Sequence, residues 1–382
     1  MKGFALSIGA EGAPSLHAAA HSHHPWPDVT LDAQEAAWRD AARLLDGKWE
    51  HVFANVIPEA QRHIARELCL PESSTIAFGP NTHAFVMRLL SCLPRERPVR
   101  VLTTGSEFMS FSRQMARWEE AGTAVVTRVA CEPFDTFETR FCETASNSTQ
   151  DLVYFSQVFF DSGFALRDLP SIVDAVRDPT TPIVIDGYHG FMAIPTDLGA
   201  ISGRVFFLAG GYKYAMAGEG VCFLHCPPGY CPRPLDTGWY SGFSSLARGG
   251  GAQVPFAQDG SRFLGATFDV AGLYRLNAVQ NWLAGEGLDV GSMLVRVRAL
   301  ERSFLAELDR RHAVLNSGNL LVPDESRRGR FLAFRTPDAA AIAARLAAAD
   351  IIVDHRGDRL RVGFGIYHEP DESIRLARAI AD

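Results

Sequence analysis

Two ionisable side chains follow directly on apolar segments in the middle of the chain. Asp186 follows the run Pro182–Ile185, and Lys213 follows Val205–Leu208 through a short glycine-rich segment. In an open α/β sheet, ligands bind at the carboxyl ends of the strands, so side chains that follow neighbouring strands meet at one edge. An unpaired ammonium group between two apolar strands would be costly, and a lysine amine beside a carboxylate is suited to covalent chemistry on a carbonyl group. The sequence therefore predicts that Asp186 and Lys213 share one site.

Two other strand ends carry groups that suit a phosphorylated aromatic ligand. After the predicted strand Thr75–Phe78 the chain enters a helix at Thr82 and His83, and hydroxyl and backbone N–H groups at a helix N-terminus bind phosphate. After Val99–Thr103 comes Phe108, an aromatic ring that can stack on a flat ligand. Pyridoxal 5'-phosphate (PLP) requires all of these groups, because the amine binds its aldehyde and the carboxylate keeps its ring nitrogen protonated. The sequence therefore predicts PLP as the cofactor.

Further motifs lie along nearly the whole chain. They are His21-Ser22-His23-His24-Pro25-Trp26-Pro27, Asp186-Gly187-Tyr188-His189, Gly211-Tyr212-Lys213-Tyr214, Gly218-Glu219-Gly220, Gly238-Trp239-Tyr240, Arg262-Phe263-Leu264-Gly265-Ala266-Thr267 and Arg359-Leu360-Arg361-Val362-Gly363-Phe364-Gly365. In their order and composition these motifs resemble the class V aminotransferase-fold group of PLP-dependent enzymes, and within that group they are most similar to kynureninase. The resemblance implies the PLP-dependent transferase fold type I.

The resemblance also implies the roles of individual residues. Three would be catalytic: Lys213 binds the aldehyde and removes the substrate's α-proton, Asp186 contacts the pyridine nitrogen, and Tyr212 or a nearby histidine supplies protons. Arg361 would bind the α-carboxylate of an amino-acid substrate, a task that suits the planar guanidinium. Thr267 would reach the phosphate of the neighbouring subunit, so a homodimer is implied. Around the cofactor, the resemblance implies that Phe108 stacks on the ring, that Thr82, Tyr212 and Trp239 contact the phosphate, and that His83 and His189 lie beside them. Ser22 and His23 are implied in the substrate pocket.

The reaction implied by the resemblance is hydrolysis of the Cβ–Cγ bond of a 3-acyl-alanine, which gives alanine and an acid. A class V aminotransferase that produces a 2-oxo acid is an alternative, since the motifs around Lys213 do not separate the two. A cysteine desulfurase needs a cysteine on a mobile loop in the C-terminal part, and no cysteine follows Cys231. A binding or sensor protein without catalysis is a further alternative. The pair Asp186 and Lys213 argues against it, because a protein that only binds gains little from groups that make the cofactor an electron acceptor.

Three segments depart from the kynureninase pattern and leave the identity of the substrate open: Glu107-Phe108-Met109-Ser110-Phe111, His21-Ser22-His23-His24 and Gly365-Ile366-Tyr367-His368.

The elements that position these residues are predicted to form a mixed, mostly parallel sheet between helices. Between about residues 75 and 225, short β-branched runs alternate with amphipathic segments, a pattern typical of an α/β fold. The last two strands are joined by too short a segment for a crossover helix, so one of them is predicted to be antiparallel. The predicted strands are Thr75–Phe78, Val99–Thr103, Ala124–Val129, Asp151–Val158, Pro182–Asp186, Val205–Leu208 and Val221–His225.

Three regions are predicted along the chain. Residues 1–45 form an N-terminal segment that packs on the site and on the small domain, residues 46–270 form the large PLP-binding domain, and residues 271–382 form a small α+β C-terminal domain. The stretch 227–266 is rich in Pro, Gly and aromatic residues without periodicity, which predicts a functional loop.

Composition and charge argue against several classes of partner. The formal net charge is −7, with 44 acidic against 37 basic residues, so a dedicated nucleic-acid binder is not expected. Charges and Gly/Pro interrupt every apolar stretch before the ~18–20 residues needed to cross a bilayer, so no membrane association is expected. The histidines at 17, 21, 23 and 24 and the cysteines between 222 and 231 lack a complete ligand pattern, so no metal site is predicted. Seven scattered cysteines favour a reducing cytoplasm.

Overall fold

Helices and strands alternate through most of the protein, whose computed structural model describes residues 3–242 and 253–381. In chain order they are β1 (Leu16–His17), α1 (Val29–Leu44), α2 (Lys48–His51), α3 (Ile57–Glu67), β2 (Ile76–Gly79), α4 (Thr82–Leu90), β3 (Val99–Thr104), α5 (Met109–Glu120), β4 (Ala124–Val129), α6 (Phe137–Asn147), β5 (Leu152–Ser156), α7 (Leu169–Asp174), β6 (Ile183–Asp186), β7 (Val205–Gly210), β8 (Cys222–His225), α8 (Ala271–Gly285), α9 (Val290–Arg310), β9 (Leu332–Arg335), α10 (Ala339–Ala348), β10 (Ile351–Ile352), β11 (Asp354–Arg356), β12 (Arg359–Val362) and α11 (Pro370–Ala381).

Seven strands form the central sheet in the order β2-β8-β7-β6-β5-β3-β4. Strand β8 runs antiparallel to both of its neighbours, and the other pairs are parallel. Strands β2, β5, β6 and β7 therefore end at the same edge of the sheet. This confirms the predicted sheet and its one reversed strand, and the observed strand ends lie within two residues of the predicted ones.

The central strands are buried on both faces, as expected for parallel strands covered by helices. Ile183, Ile185 and Phe207 point into one apolar core, whereas Val184 and Phe206 point into the core on the opposite face. Alternate side chains of a strand lie on opposite faces of a sheet. The continuous apolar runs of β6 and β7 are thus explained by burial on both sides.

Residues 290–381 form the small domain, in which a three-stranded antiparallel sheet, β11-β12-β9, packs against helices. The N-terminal segment joins this unit: β1 pairs in parallel with β10, and Ala19 pairs with Gly363. Helix α8 instead contributes Leu273 and Leu276 to the core of the large sheet. The predicted domain boundaries stay predictions.

Helices α1, α3 and α6 were not predicted, although their buried faces pack on the large domain. The predicted functional loop 227–266 lies in part, at 243–252, outside the described residues. None of the helices within the described ranges is long and apolar enough to cross a membrane.

The small domain depends on one aromatic side chain. Phe304 is fully buried on α9, with ring centroids 6.2 Å from Phe334 and 5.6 Å from Phe364. We expect Phe304→Ala to lower the free energy of unfolding by about 3–5 kcal/mol, because it removes a buried aromatic group and leaves a cavity. Urea unfolding measures the change. Val314→Ala is the control, since Val314 is 81% exposed, and an equal loss in both variants would contradict the expectation.

Candidate active site

A cleft of about 570 Å³ opens at the carboxyl ends of the central strands. Strand β5 ends there at Ser156, β6 at Asp186, and β7 leads to Tyr212 and Lys213. Because β2 ends at the same edge, it delivers the first turn of α4 to the cleft. The sheet topology thus brings together side chains that are far apart in the sequence. The lining residues are Pro80, Asn81, Thr82, His83, Phe108, Ser110, Ser156, Val158, Phe160, Asp186, Tyr188, His189, Tyr212, Lys213, Glu219 and Gly220.

Lys213 is the most deeply buried amine of the site, with 5% of the residue exposed. Its Nζ lies 2.6 Å from Nε2 of His189. The ring centroids of Tyr188 and Phe108 lie 4.9 and 5.4 Å from the same atom. Burial lowers the pKa of Lys213 to about 7, although the negative charge of Asp186 opposes this shift. A large fraction of the amine is therefore neutral, and nucleophilic, near neutral pH.

Asp186 lies at the end of β6 and is also buried. Its Oδ2 accepts a hydrogen bond of 2.9 Å from the hydroxyl of Tyr154, and its Oδ1 accepts one of 2.9 Å from the backbone N–H of Tyr188. Burial raises the pKa of this carboxyl group, while the two hydrogen bonds and the charge of Lys213 oppose the shift. The carboxylate is thus held in a fixed orientation and needs a nearby positive charge.

Glycine makes room for the aromatic wall of the cleft. A Cβ at Gly210 would lie 2.2 Å from the hydroxyl oxygen of Tyr188, and a Cβ at Gly187 would lie 1.9 Å from the ring of Phe207. Any side chain at either position would displace these rings. The glycines that border Asp186 and precede Lys213 in the sequence therefore serve close packing at the strand ends.

The first turn of α4 forms the opposite end of the cleft. The side chain of Asn81 caps this helix by accepting a hydrogen bond of 3.0 Å from the backbone N–H of Ala84. Thr82 and His83 line the cleft, and the Oγ1 of Thr82 lies 3.7 Å from Sγ of Cys222. A helix N-terminus attracts anions, so this end suits a phosphate group.

The N-terminal segment borders the cleft on the side of Tyr212. The ring of His23 stacks on that of Tyr212, with centroids 5.1 Å apart, and Nε2 of His23 lies 3.7 Å from Glu219. Ser22 precedes it and contacts the same histidine. The structure therefore places both predicted substrate-pocket residues at the rim.

Among the predicted site residues, three lie neither in the lining nor at the rim of their own chain's cleft, as far as the described residues define it: Trp239, Thr267 and Arg361. The ring of Trp239 lies 4.2 Å from that of Tyr240, and Thr267 lies beside Tyr240. The predicted contact of Trp239 with the cofactor's phosphate stays a prediction, since in its own chain Trp239 lies against Tyr240 and outside the lining of the cleft. Arg361 lies behind the lining, where its Nη1 donates a hydrogen bond to the carbonyl of the lining residue Phe160.

Sequence reasoning missed a buried carboxyl group beside the site. Glu107 accepts hydrogen bonds of 2.6 Å from the hydroxyls of Thr104 and Ser156, and burial raises its pKa to about 8. Its position directly before Phe108, at the end of β3, is a signal that could have identified it. A second missed signal is the scarcity of lysine: of the 37 lysines and arginines, three are lysines, namely Lys2, Lys48 and Lys213. A lysine between apolar strands is therefore conspicuous in this sequence.

Metal-ligand geometry is not found in the described ranges, where no group of three or more His, Cys, Asp and Glu side chains could hold an ion. The thiol of Cys222 instead donates a hydrogen bond of 2.9 Å to the carbonyl of Ala209, and that of Cys226 contacts the carbonyl of Leu224.

Comparisons with known proteins identify the fold. No family model matches the chain. Isopenicillin N epimerase from Streptomyces clavuligerus is 27% identical over 329 residues, which cover 80% of this chain and 79% of that protein. Among solved structures, a cystine C–S lyase in complex with its reaction product cysteine persulfide superposes with a TM-score of 0.80, at 16% identity, over 97% of this chain and 98% of that one.

Two further structures agree with this result. A variant of the same lyase, with glycine covalently linked to its PLP cofactor, gives a TM-score of 0.77 at 17% identity and covers 96% of each chain. The apo cysteine desulfurase from Thermococcus onnurineus NA1 gives 0.77 at 15% identity over 96% of this chain and 94% of that one. The chain thus has the type I fold of PLP-dependent enzymes, as predicted, and its similarity to kynureninase in particular stays a prediction.

The low pKa of Lys213 can be measured directly. We expect trinitrobenzenesulfonate to label Lys213 at a rate that rises with pH through about 7 and then levels off, because the neutral amine is the reactive form and burial lowers its pKa to that value. Peptide mass spectrometry of cofactor-free protein quantifies the labelling, with Lys48 in the same digest as the reference for the reagent. In Asp186→Asn the midpoint should move to lower pH, and a midpoint near 10 in the wild type would contradict the expectation.

Proposed function

We propose that the protein is a PLP-dependent enzyme that acts on an α-amino acid. The observation that carries the proposal is the burial of one amine, Lys213, and one carboxylate, Asp186, in a single cleft beside a helix N-terminus. Each buried charge would be costly without the other. A cleft that keeps both, open to a small molecule, is better explained by catalysis than by stability.

The residues present fit PLP. The first turn of α4, with Thr82 and His83, is suited to the phosphate, and Phe108 borders the space between that turn and Lys213. His189 has an Nδ1 atom without a hydrogen-bond partner among the described residues, so it retains capacity for a polar ligand group. When bound, PLP supplies an aldehyde for covalent attachment and a ring that accepts the electron pair of the substrate's Cα–H bond.

Lys213 would act as nucleophile and then as general base. Its Nζ is neutral for a large part of the time near pH 7, so it can attack a carbonyl carbon and can later accept the α-proton. The contact of 2.6 Å with Nε2 of His189 holds the amine in place. Burial lowers the pKa of His189 well below its ordinary value, so this imidazole stays neutral and can accept a hydrogen bond from the amine.

Asp186 and Tyr212 have complementary tasks. Asp186, oriented by Tyr154 and by the backbone of Tyr188, would face the protonated ring nitrogen and stabilise its positive charge. Burial raises the pKa of Tyr212 to about 12, so its phenol stays protonated at neutral pH and can donate that proton to a departing carbanion.

We propose hydrolysis of the Cβ–Cγ bond of a 3-acyl-alanine as the reaction, supported by the kynureninase-like motifs from residue 21 to residue 365. Transamination to a 2-oxo acid is the alternative that the same cleft allows. Epimerisation at Cα is a third candidate, favoured by the similarity to isopenicillin N epimerase. All three begin with removal of the α-proton. Cysteine desulfuration is not proposed, because the chain has no cysteine after Cys231.

We further propose a homodimer in which Trp239 and Thr267 serve the neighbouring subunit's cleft. The proposal is supported by their position outside the cleft of their own chain, and by the 43% exposure of Trp239. The cytoplasmic location stays a prediction, favoured by cysteines that form no disulfide in the described residues.

Covalent attachment tests the cofactor and its lysine. We expect borohydride treatment of the PLP-loaded protein to fix one cofactor mass on the peptide that contains Lys213, because that amine is buried and partly neutral. Lys213→Ala should lose both this mass and the yellow absorbance. Lys48→Ala is the matched control and should keep both, so attachment that survives in Lys213→Ala would refute the assignment.

The fate of the substrate tests the reaction. With kynurenine and other amino acids in D₂O, we expect exchange of the α-proton, followed by release of alanine and an aromatic acid. A 2-oxo acid as product would indicate an aminotransferase, and accumulation of the opposite enantiomer would indicate an epimerase. Absence of exchange with every amino acid tried would contradict the proposal as a whole.

The charge of Asp186 is expected to matter more than its volume. Asp186→Asn should keep the attachment at Lys213 but slow α-proton exchange by about 100-fold, since it removes preorganised charge from the ring nitrogen. Tyr154→Phe, which keeps the carboxylate and removes one of its hydrogen bonds, should give a smaller loss. Equal losses in the two variants, measured by NMR, would argue against a role for the charge.

A further inference from the structure

Arg361, the residue predicted to bind the substrate's carboxylate, already holds a carboxylate of the chain itself. Its Nη2 donates a hydrogen bond to Oδ2 of Asp354, and the two residues lie directly opposite each other on β12 and β11. The side chain of Arg361 is only 3% exposed. A guanidinium so deeply buried needs a negative partner, and in this structure Asp354 is that partner.

Asp354 has a second arginine on its outer side. Nη1 of Arg356 donates a hydrogen bond of 2.8 Å to Oδ1 of Asp354, and the side chain of Arg356 is 50% exposed. The carboxylate therefore bridges an inner and an outer arginine. It can leave the inner one without becoming an unpaired charge.

His21 completes this group from the N-terminal segment. Its ring is fully buried, stacks on Phe331 with centroids 4.7 Å apart, and has Nε2 at 3.7 Å from Oδ2 of Asp354. Neither ring nitrogen has a hydrogen-bond partner in the described part of the chain, and the same holds for Nε of Arg361. Buried polar atoms are nearly always hydrogen-bonded. Three such atoms beside one ion pair indicate that a further polar ligand belongs here.

The group adjoins the reacting end of the cleft. Arg361 contacts the backbone of Phe160, which lines the cleft. The charges of Arg361 and Asp354 are close enough to Lys213 to shift its pKa in opposite directions. A Cβ at Gly363 would lie 2.3 Å from Nδ1 of His21, so the glycine of the small domain makes room for this imidazole.

We propose that Asp354 is an internal stand-in for the α-carboxylate of the substrate. The substrate's carboxylate displaces Asp354 from Arg361 and takes His21 as its second hydrogen-bond donor, while Asp354 stays on Arg356. Asp354 and His21 are thus specificity-determining residues, and the inference rests on the proposed function, in which an amino acid binds in this cleft.

Binding of a carboxylate that cannot react tests the inference. The probe is 3-benzoylpropionate, which has no amino group, and its affinity for the PLP-loaded protein is measured by isothermal titration calorimetry. Asp354→Asn should lower the Kd about fivefold, because the competing charge is gone. His21→Phe should raise it about tenfold, the scale of a lost hydrogen bond to a charged group. The amide of the probe should bind all variants weakly.

Matched control variants separate the effect of Asp354 on the Kd from a general change of net charge and from misfolding. Asp358→Asn removes the same charge from an exposed position of the same hairpin, 59% exposed, and should leave the Kd unchanged. Arg356→Gln is an exposed substitution that should fold normally. It should raise the Kd about threefold, because Asp354 loses its outer partner and then leaves Arg361 less readily. Arg335→Gln removes an arginine from the same small sheet and should leave the Kd unchanged. An unchanged or higher Kd in Asp354→Asn, or equal effects of Arg356→Gln and Arg335→Gln, would overturn the inference.

The two proposals fail in different ways. Wild-type protein that does not bind PLP at Lys213, as judged by absorbance and peptide mass, contradicts the proposed function. Normal PLP attachment together with no gain of affinity in Asp354→Asn contradicts only the role of Asp354.

Discussion

The site depends on one constraint: an amine and a carboxylate are both buried away from water, where two neighbouring strands end. Lys213 and Asp186 are both buried, and burial favours the neutral form of each group: it lowers the pKa of the lysine and raises that of the aspartate. The charge of each partner opposes this shift and favours the charged form of the other. The balance leaves an amine that can both lose and accept a proton near neutral pH. The parallel sheet imposes this pairing, because β6 and β7 end side by side.

The polar groups around Asp186 extend this constraint into the core. Tyr154 donates to Asp186 while its ring stacks on Phe111 at 3.7 Å. Ser156, which pairs with Asp186 across β5 and β6, donates to Glu107. Glu107, with its pKa raised to about 8, carries little negative charge at neutral pH. Glu107 therefore supports Ser156 by hydrogen bonding without placing a full second negative charge beside Asp186.

The strands could be predicted from the sequence, because parallel strands buried on both faces appear as continuous β-branched runs. The pair Lys213 and Asp186 could be predicted because side chains at the carboxyl ends of such strands lie at the ligand-binding edge of the sheet. Helices α3 and α6 were missed although the local pattern carries the signal, since Ile57, Ala60 and Ile64 in α3, and Phe137, Phe141 and Ala145 in α6, recur at helical spacing. Helix α1 buries Thr30 and Ala33, so its apolar pattern is weaker. The engagement of Arg361 by Asp354 depends on the register of β11 and β12, which a one-residue slip would abolish. The position of Trp239 follows that of its neighbour Tyr240, whose ring packs against Trp49 and Phe53 from distant parts of the chain.

The pairing of β1 with β10 has a mechanical consequence. The segment that bears His21 and His23 is hydrogen-bonded to the small domain, both at Leu16 and His17 and at the contact of Ala19 with Gly363. The same segment is also attached to the large domain, because the backbone N–H of His24 donates a hydrogen bond to the carbonyl of Tyr212 and the ring of His23 stacks on that residue. Any rotation of the small domain away from the sheet would therefore have to break contacts at one end of this segment, which makes the segment a strap between the two domains at the rim of the cleft.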